Sequence, residues 1–206
     1  MSLLAKVCGL ARAEDAAQAA AYGADLLGFV CHPPSPRHCA DLTLAAPHLD
    51  RAVLVMVVEA AEAVLETART FGFRRVQPHL PRSERARGGA RLSEAGLFVL
   101  LPWADEPDQL PVPADLYLWE PSPATTGVAG GSGVGHSMAF PPPGPYLLAG
   151  GLDAARLGSR LAMLPSEARA HLRGVDAASR LEAAPGQKDP RKVADFIHAA
   201  HSLEFP

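Results

Sequence analysis

Eight short apolar runs, each too brief for a helix of ordinary length, recur along the whole 206-residue chain. They span residues 3–7, 26–30, 52–58, 74–77, 97–101, 116–119, 146–149 and 174–177. Near-continuous apolar character over four to seven residues is the signature of strands buried on both faces, as in a parallel sheet. Alanine- and leucine-rich segments with helical periodicity fall between several of them, at residues 14–22, 60–71, 154–164 and 189–202. Gly23 and Gly72 stand where helix C-terminal caps are expected, and Pro190 suits a first helical turn. Eight strand-like runs with helical segments between several of them predict α/β architecture: a (β/α)8 barrel in one domain covering residues 1–206.

Two connections depart from this rhythm. Residues 102–113 carry four prolines and no helical period, so the fifth outer helix is expected to be replaced by a loop. Residues 82–96 contain Gly88 and Gly89 among mostly polar side chains, which argues against a regular fourth helix. A glycine- and proline-rich stretch at 121–145 reads equally well as a surface excursion or as a loop covering a substrate.

Charge narrows the function classes. Nineteen basic residues against 22 acidic ones give a net charge of −3, and no basic stripe matches a phosphate backbone, so nucleic acid is not an expected partner. No apolar stretch approaches the roughly 20 residues needed to span a bilayer, and no membrane association is expected. Three cysteines without metal-ligand spacing, and a start lacking the pattern of a signal peptide, fit a reducing cytoplasm and no metal site. Monomer and homodimer both remain open.

Cys8 closes the first apolar run, just before Gly9 and the first helical segment. In parallel α/β folds, functional groups gather at the carboxyl ends of strands. A thiol there is suited to proton abstraction, although a small buried cysteine at a strand end also reads as core.

A set of ordered motifs extends this reading. They are Lys6-Val7-Cys8-Gly9; Arg12, Glu14, Asp15 and Ala16; Gly23-Ala24-Asp25; Leu27-Gly28-Phe29-Val30; Ser35-Pro36-Arg37; Gln77 with His79; Gly130-Gly131-Ser132-Gly133; Leu148-Ala149-Gly150-Gly151-Leu152; and Pro185-Gly186-Gln187-Lys188-Asp189. In order and spacing they resemble phosphoribosylanthranilate isomerase, the cofactor-free (β/α)8 enzyme of tryptophan biosynthesis, over nearly the whole chain. The resemblance implies an Amadori rearrangement of a small phosphorylated substrate by general acid and base, without cofactor. It implies Cys8 as base and assigns the acid to Glu120, where the family carries aspartate. Arg37 takes the place of a group gripping the substrate carboxylate, and His79 is either a positioning or binding residue or a hydrogen-bonded core histidine. Gly150 and Gly151, with Ser179, take the phosphate positions, and Gly131 and Gly133 add contacts from the strand-six loop.

Departures from the family pattern are Leu80 for a glycine, Val134 for a basic residue, a missing strand-five lysine, and Arg180 where a glycine approaches the phosphate. Arg180 is therefore a candidate for direct charge contact with the phosphate. The same residues also fit a barrel that binds a sugar phosphate or a partner without turnover, and an isomerase of a related aminoaldose phosphate.

Overall fold

The computed structural model describes residues 2–107, 111–121 and 137–203. Eight parallel strands close into a barrel in chain order: β1 (Leu4–Cys8), β2 (Leu26–Cys31), β3 (Ala52–Val57), β4 (Arg75–His79), β5 (Phe98–Ala104), β6 (Leu116–Glu120), β7 (Tyr146–Leu148) and β8 (Leu172–Ala177). The ring closes where β1 pairs with β8, Lys6 opposite Asp176. All eight apolar runs therefore form strands, and their alternation of side chains builds two cores. Residues such as Val53, Leu100, Leu118 and Leu147 fill the barrel, whereas Ala5, Val7, Leu54 and Trp119 face the helical layer.

The outer layer contains α1 (Ala13–Ala21), α2 (Ala61–Phe71), α3 (Arg85–Glu94), α4 (Ala154–Ala162), the single turn α5 (Ser166–Arg169) and α6 (Pro190–Ser202). Gly72 ends α2 in the left-handed conformation with φ +78°, and Asp189 caps α6 by accepting from the Arg191 and Lys192 amides. A 3-10 segment, Leu42–His48, occupies the connection between β2 and β3.

The helix α3 corrects the expectation that residues 82–96 lack a regular helix. Gly88 and Gly89 are buried, and a Cβ at Gly88 would lie 2.7 Å from Leu80 Cδ1. The glycines cost helix propensity but let the backbone approach the barrel end closely. Beyond β5, no helix occurs among the described residues before β6, as expected. The strand itself runs three residues further than the apolar run suggested, through Pro102. Asp105 donates its amide to Glu120 O and Phe98 donates to Arg74 O, so by alternation Pro102 points its missing N–H towards β4. β5 pairs with β4 only at Phe98 and Val99, and the ladder loses nothing there. No helix among the described residues is long and apolar enough to cross a membrane.

Candidate active site

Period-two alternation aims Lys6 and Cys8 into the barrel from β1, Gln77 and His79 from β4, Leu118 and Glu120 from β6, and Asp176 from β8. At the carboxyl end these strands enclose a cavity lined by Cys8, Gln77, His79, Glu120 and Asp176, with Val30, Val55 and Val57 on its apolar side. Past Val57, His79 and Glu120 a second hollow of about 230 Å³ opens over β3–β5, largely apolar and walled by Pro78, Leu80 and Pro102, with Arg85 among its polar groups.

Beneath the cavity lies a buried ion pair, Lys6 Nζ to Asp176 Oδ1 at 2.7 Å. Burial pulls against the Lys6 charge, but Asp176 and the adjacent Cys8 outweigh it, and the amine is held above its ordinary range. Burial pushes the Cys8 thiol up, Lys6 opposes that shift, and Asp176 adds to it. Gly28 makes room for the sulfur: a Cβ there would sit 2.7 Å from Cys8 Sγ.

Glu120 is 5% exposed, and its pKa is raised from 4.5 to about 8, first by desolvation and then by the Asp176 carboxylate, with Arg85 and Lys6 opposing. It is therefore largely a neutral carboxylic acid at pH 7. His79 moves the other way, down to about 4, through burial and the nearby cations Lys6 and Arg85 and the imidazole of His32, so its ring is neutral. Gln77 Nε2 lies 3.1 Å from His79 Nε2, and His79 Nδ1 lies 3.7 Å from Glu120 Oε1.

The loop motifs converge on Arg37. The Ser35 hydroxyl accepts from the Arg37 amide at 3.1 Å, fixing the turn. Gly9, at φ +76°, lets the arginine stem cross where a Cβ would be 2.6 Å from Arg37 Cδ. The guanidinium is engaged by two hydrogen bonds to Glu182, Nε to Oε1 at 2.7 Å and Nη2 to Oε2 at 3.0 Å. Glu182 also accepts from Lys188 Nζ at 3.2 Å. A substrate carboxylate would thus meet Arg37 on its remaining Nη1/Nη2 edge rather than on the Nε edge.

Gly150 and Gly151 follow β7 with φ of +94° and +65°, and Ser179 opens a 3-10 turn, Ser179–Leu181, after β8. Arg180 lines a groove with Ser179, Asp153, Lys192 and Asp195, its Nη1 3.9 Å from Asp153 Oδ2. Gly131 and Gly133 lie outside the described residues. The pairings Lys6–Asp176 and Arg37–Glu182 went unread in the sequence, though Lys6 sits two residues before Cys8 and so shares its face. Among the described residues, no cluster of side chains could hold a metal ion.

No protein-family model matches the chain. Comparison with known proteins is nevertheless decisive. An N-(5′-phosphoribosyl)anthranilate isomerase of Azorhizobium caulinodans is 35% identical, the match covering 99% of this chain and 94% of that one. The chain belongs to the phosphoribosylanthranilate isomerase family. The crystal structure of the phosphoribosylanthranilate isomerase from Thermus thermophilus is 26% identical with a TM-score of 0.74, covering 98% of this chain and all of that one. A second phosphoribosylanthranilate isomerase, crystallised with reduced 1-(o-carboxyphenylamino)-1-deoxyribulose 5-phosphate, superposes with a TM-score of 0.71 at 23% identity, covering 98% of this chain and 100% of that one. Leu80, read from the sequence as a departure from the family pattern, packs into the space that Gly88 leaves.

Proposed function

We propose that this protein catalyses the Amadori rearrangement of N-(5′-phosphoribosyl)anthranilate to 1-(2-carboxyphenylamino)-1-deoxyribulose 5-phosphate, the isomerase step of tryptophan biosynthesis. The observation that carries the chemistry is the pairing, in one cavity, of a carboxylic acid that keeps its proton at neutral pH with a thiol beside a buried ammonium group. Glu120 gives its proton to the furanose ring oxygen, the C1′–O bond breaks, and an iminium forms. Cys8, as thiolate, then removes the C2′ proton to give an enolamine, which tautomerises to the ketone. Protons are moved and none is gained or lost overall, so the reaction calls for no cofactor.

The assignments of acid and base rest on position, environment and family motif together. Glu120 is desolvated enough to be an acid at pH 7, the condition for efficient proton donation. Lys6 lies where its charge favours the Cys8 thiolate once substrate has entered. Arg37 takes the anthranilate carboxylate on its outer edge, and Val30, Val55 and Val57 in the same cavity offer an apolar wall for the aryl ring. The 5-phosphate goes to the carboxyl ends of β7 and β8, against Gly150, Gly151 and the Ser179 turn, the rim where (β/α)8 barrels commonly hold phosphate. Arg180, which shares a groove with Ser179 and lies 3.9 Å from Asp153, adds charge at the edge of that site.

Turnover is the test. Purified protein is mixed with freshly generated phosphoribosylanthranilate and the decay of substrate fluorescence is followed. Enzyme-dependent loss above the spontaneous rate supports the isomerase, and binding of a product analogue without any such loss supports a ligand-binding barrel instead.

A further inference from the structure

The identity of the residue at position 120 changes what it can touch. A glutamate reaches one C–C bond, about 1.5 Å, further than the aspartate of the family pattern. Here that reach brings Oε1 to 3.7 Å from His79 Nδ1. His79 is in turn held from behind, its Nε2 lying 3.1 Å from Gln77 Nε2. With the Gln77 amide placed so, its NH2 donates, His79 Nε2 accepts, and the single proton of the neutral ring resides on Nδ1. The ring therefore shows Glu120 an N–H and not a lone pair.

Gln77 is itself fixed by burial at 3% exposure, and its Oε1 is a buried acceptor with no protein partner, in a residue lining the catalytic cavity. This orientation leaves Oε1 beside the cavity that Gln77 lines, without accessible surface and without a protein donor.

From this geometry we infer that Gln77 and His79 are positioning residues for Glu120: Gln77 fixes the tautomer of His79, whose Nδ1–H receives the carboxylate formed when Glu120 gives up its proton. The inference rests on Glu120 being the acid. While Glu120 is protonated the contact is longer than a hydrogen bond; once the carboxylate forms, the N–H donor closes on a full negative charge in a desolvated site, where such a bond is strongest. His79 thus lowers the energy of the ionised acid without carrying a charge itself. Other groups facing the pair are Asp176 from β8, which disfavours the carboxylate, Lys6 from β1 and Arg85 from α3, which favour it, and His32 after β2, which lies near His79.

The decisive measurement is a direct titration of Glu120 by 13C NMR on protein labelled at the glutamate side-chain carboxyl, the signal being assigned by its loss in Glu120→Gln. His79→Asn places its amide NH2 where Nδ1 stood and keeps a donor for Glu120. His79→Gln, one carbon longer, carries its amide away towards Gln77. Both substitutions are polar and uncharged, so folding is comparable. In His79→Gln the Glu120 midpoint should rise by about one pH unit, tenfold in the ionisation constant, with kcat down about tenfold and KM within about twofold. In His79→Asn the midpoint should stay near wild type, and kcat should fall less than in His79→Gln. Gln77→Leu frees the tautomer and should shift the midpoint upwards by a smaller amount. Equal midpoints in His79→Asn and His79→Gln, or a lowered midpoint in His79→Gln, overturn the inference. Wild-type kcat in Glu120→Gln instead overturns the acid assignment, and does so whatever the midpoints show.

Discussion

Glu120 is expected to cost the fold stability in order to serve the reaction. Its carboxyl titrates at about 8 in the folded protein against 4.5 ordinarily, so the folded state keeps a proton through a window in which the unfolded chain has lost it. Stability is full below pH 4.5 and falls as the pH rises towards 8. Each pH unit inside the window is worth about 1.4 kcal/mol, so by pH 7 the loss reaches about 3 kcal/mol. Glu120→Gln keeps the shape and hydrogen-bonding capacity while removing the titration. At pH 7 it should therefore be more stable than wild type by up to about 3 kcal/mol, which for a chain of this size raises Tm by roughly 6–12 °C. Calorimetric melts of both proteins from pH 4 to 8 provide the check. The difference should be small at pH 4.5 and grow steadily to pH 7, while activity is lost in the variant. A difference that is flat with pH, or a variant less stable at pH 7 than at pH 4.5 relative to wild type, would refute the burial argument.

Three further outcomes follow from the same site. Lys6→Met leaves Asp176 buried without its partner, and equilibrium unfolding should show a loss of about 3–5 kcal/mol, accompanied by thiolate absorbance of Cys8 appearing at higher pH than in wild type. Gly28→Ala puts a methyl group against Cys8 Sγ, so kcat should fall at least tenfold while the fold loses about 1–3 kcal/mol, measured by steady-state kinetics and denaturant titration. Because the productive state needs the Cys8 thiolate and burial holds that thiol above its usual range, kcat/KM should climb as pH rises from 6 to 8; a profile falling across that interval would exclude a thiolate base.

The barrel was legible because buried parallel strands are written as continuous apolar runs, and eight of them leave little other choice. Boundaries were less so: β5 continues through Pro102 because β4 has already parted from it, a fact about neighbours rather than about proline. α3 was hidden by Gly88 and Gly89, whose poor helix propensity is overridden by close packing on Leu80. At the site, Cys8 could be singled out from its place at a strand end, whereas Glu120 was marked only through the family resemblance. Lys6 and Asp176, 170 residues apart, and Arg37 and Glu182, 145 apart, could not be paired, since nothing local records which buried charges meet across a closed barrel.

The central claim, that Cys8 and Glu120 act as base and acid on one substrate, is tested most directly by kcat for Cys8→Ser, Glu120→Gln and the double variant on phosphoribosylanthranilate, with each protein's fold verified by circular dichroism. Each single change should lower kcat by about 100-fold or more, and the double should lose far less than the product of the two, because the groups serve one reaction as a unit. Near wild-type kcat in either folded single variant would contradict the account.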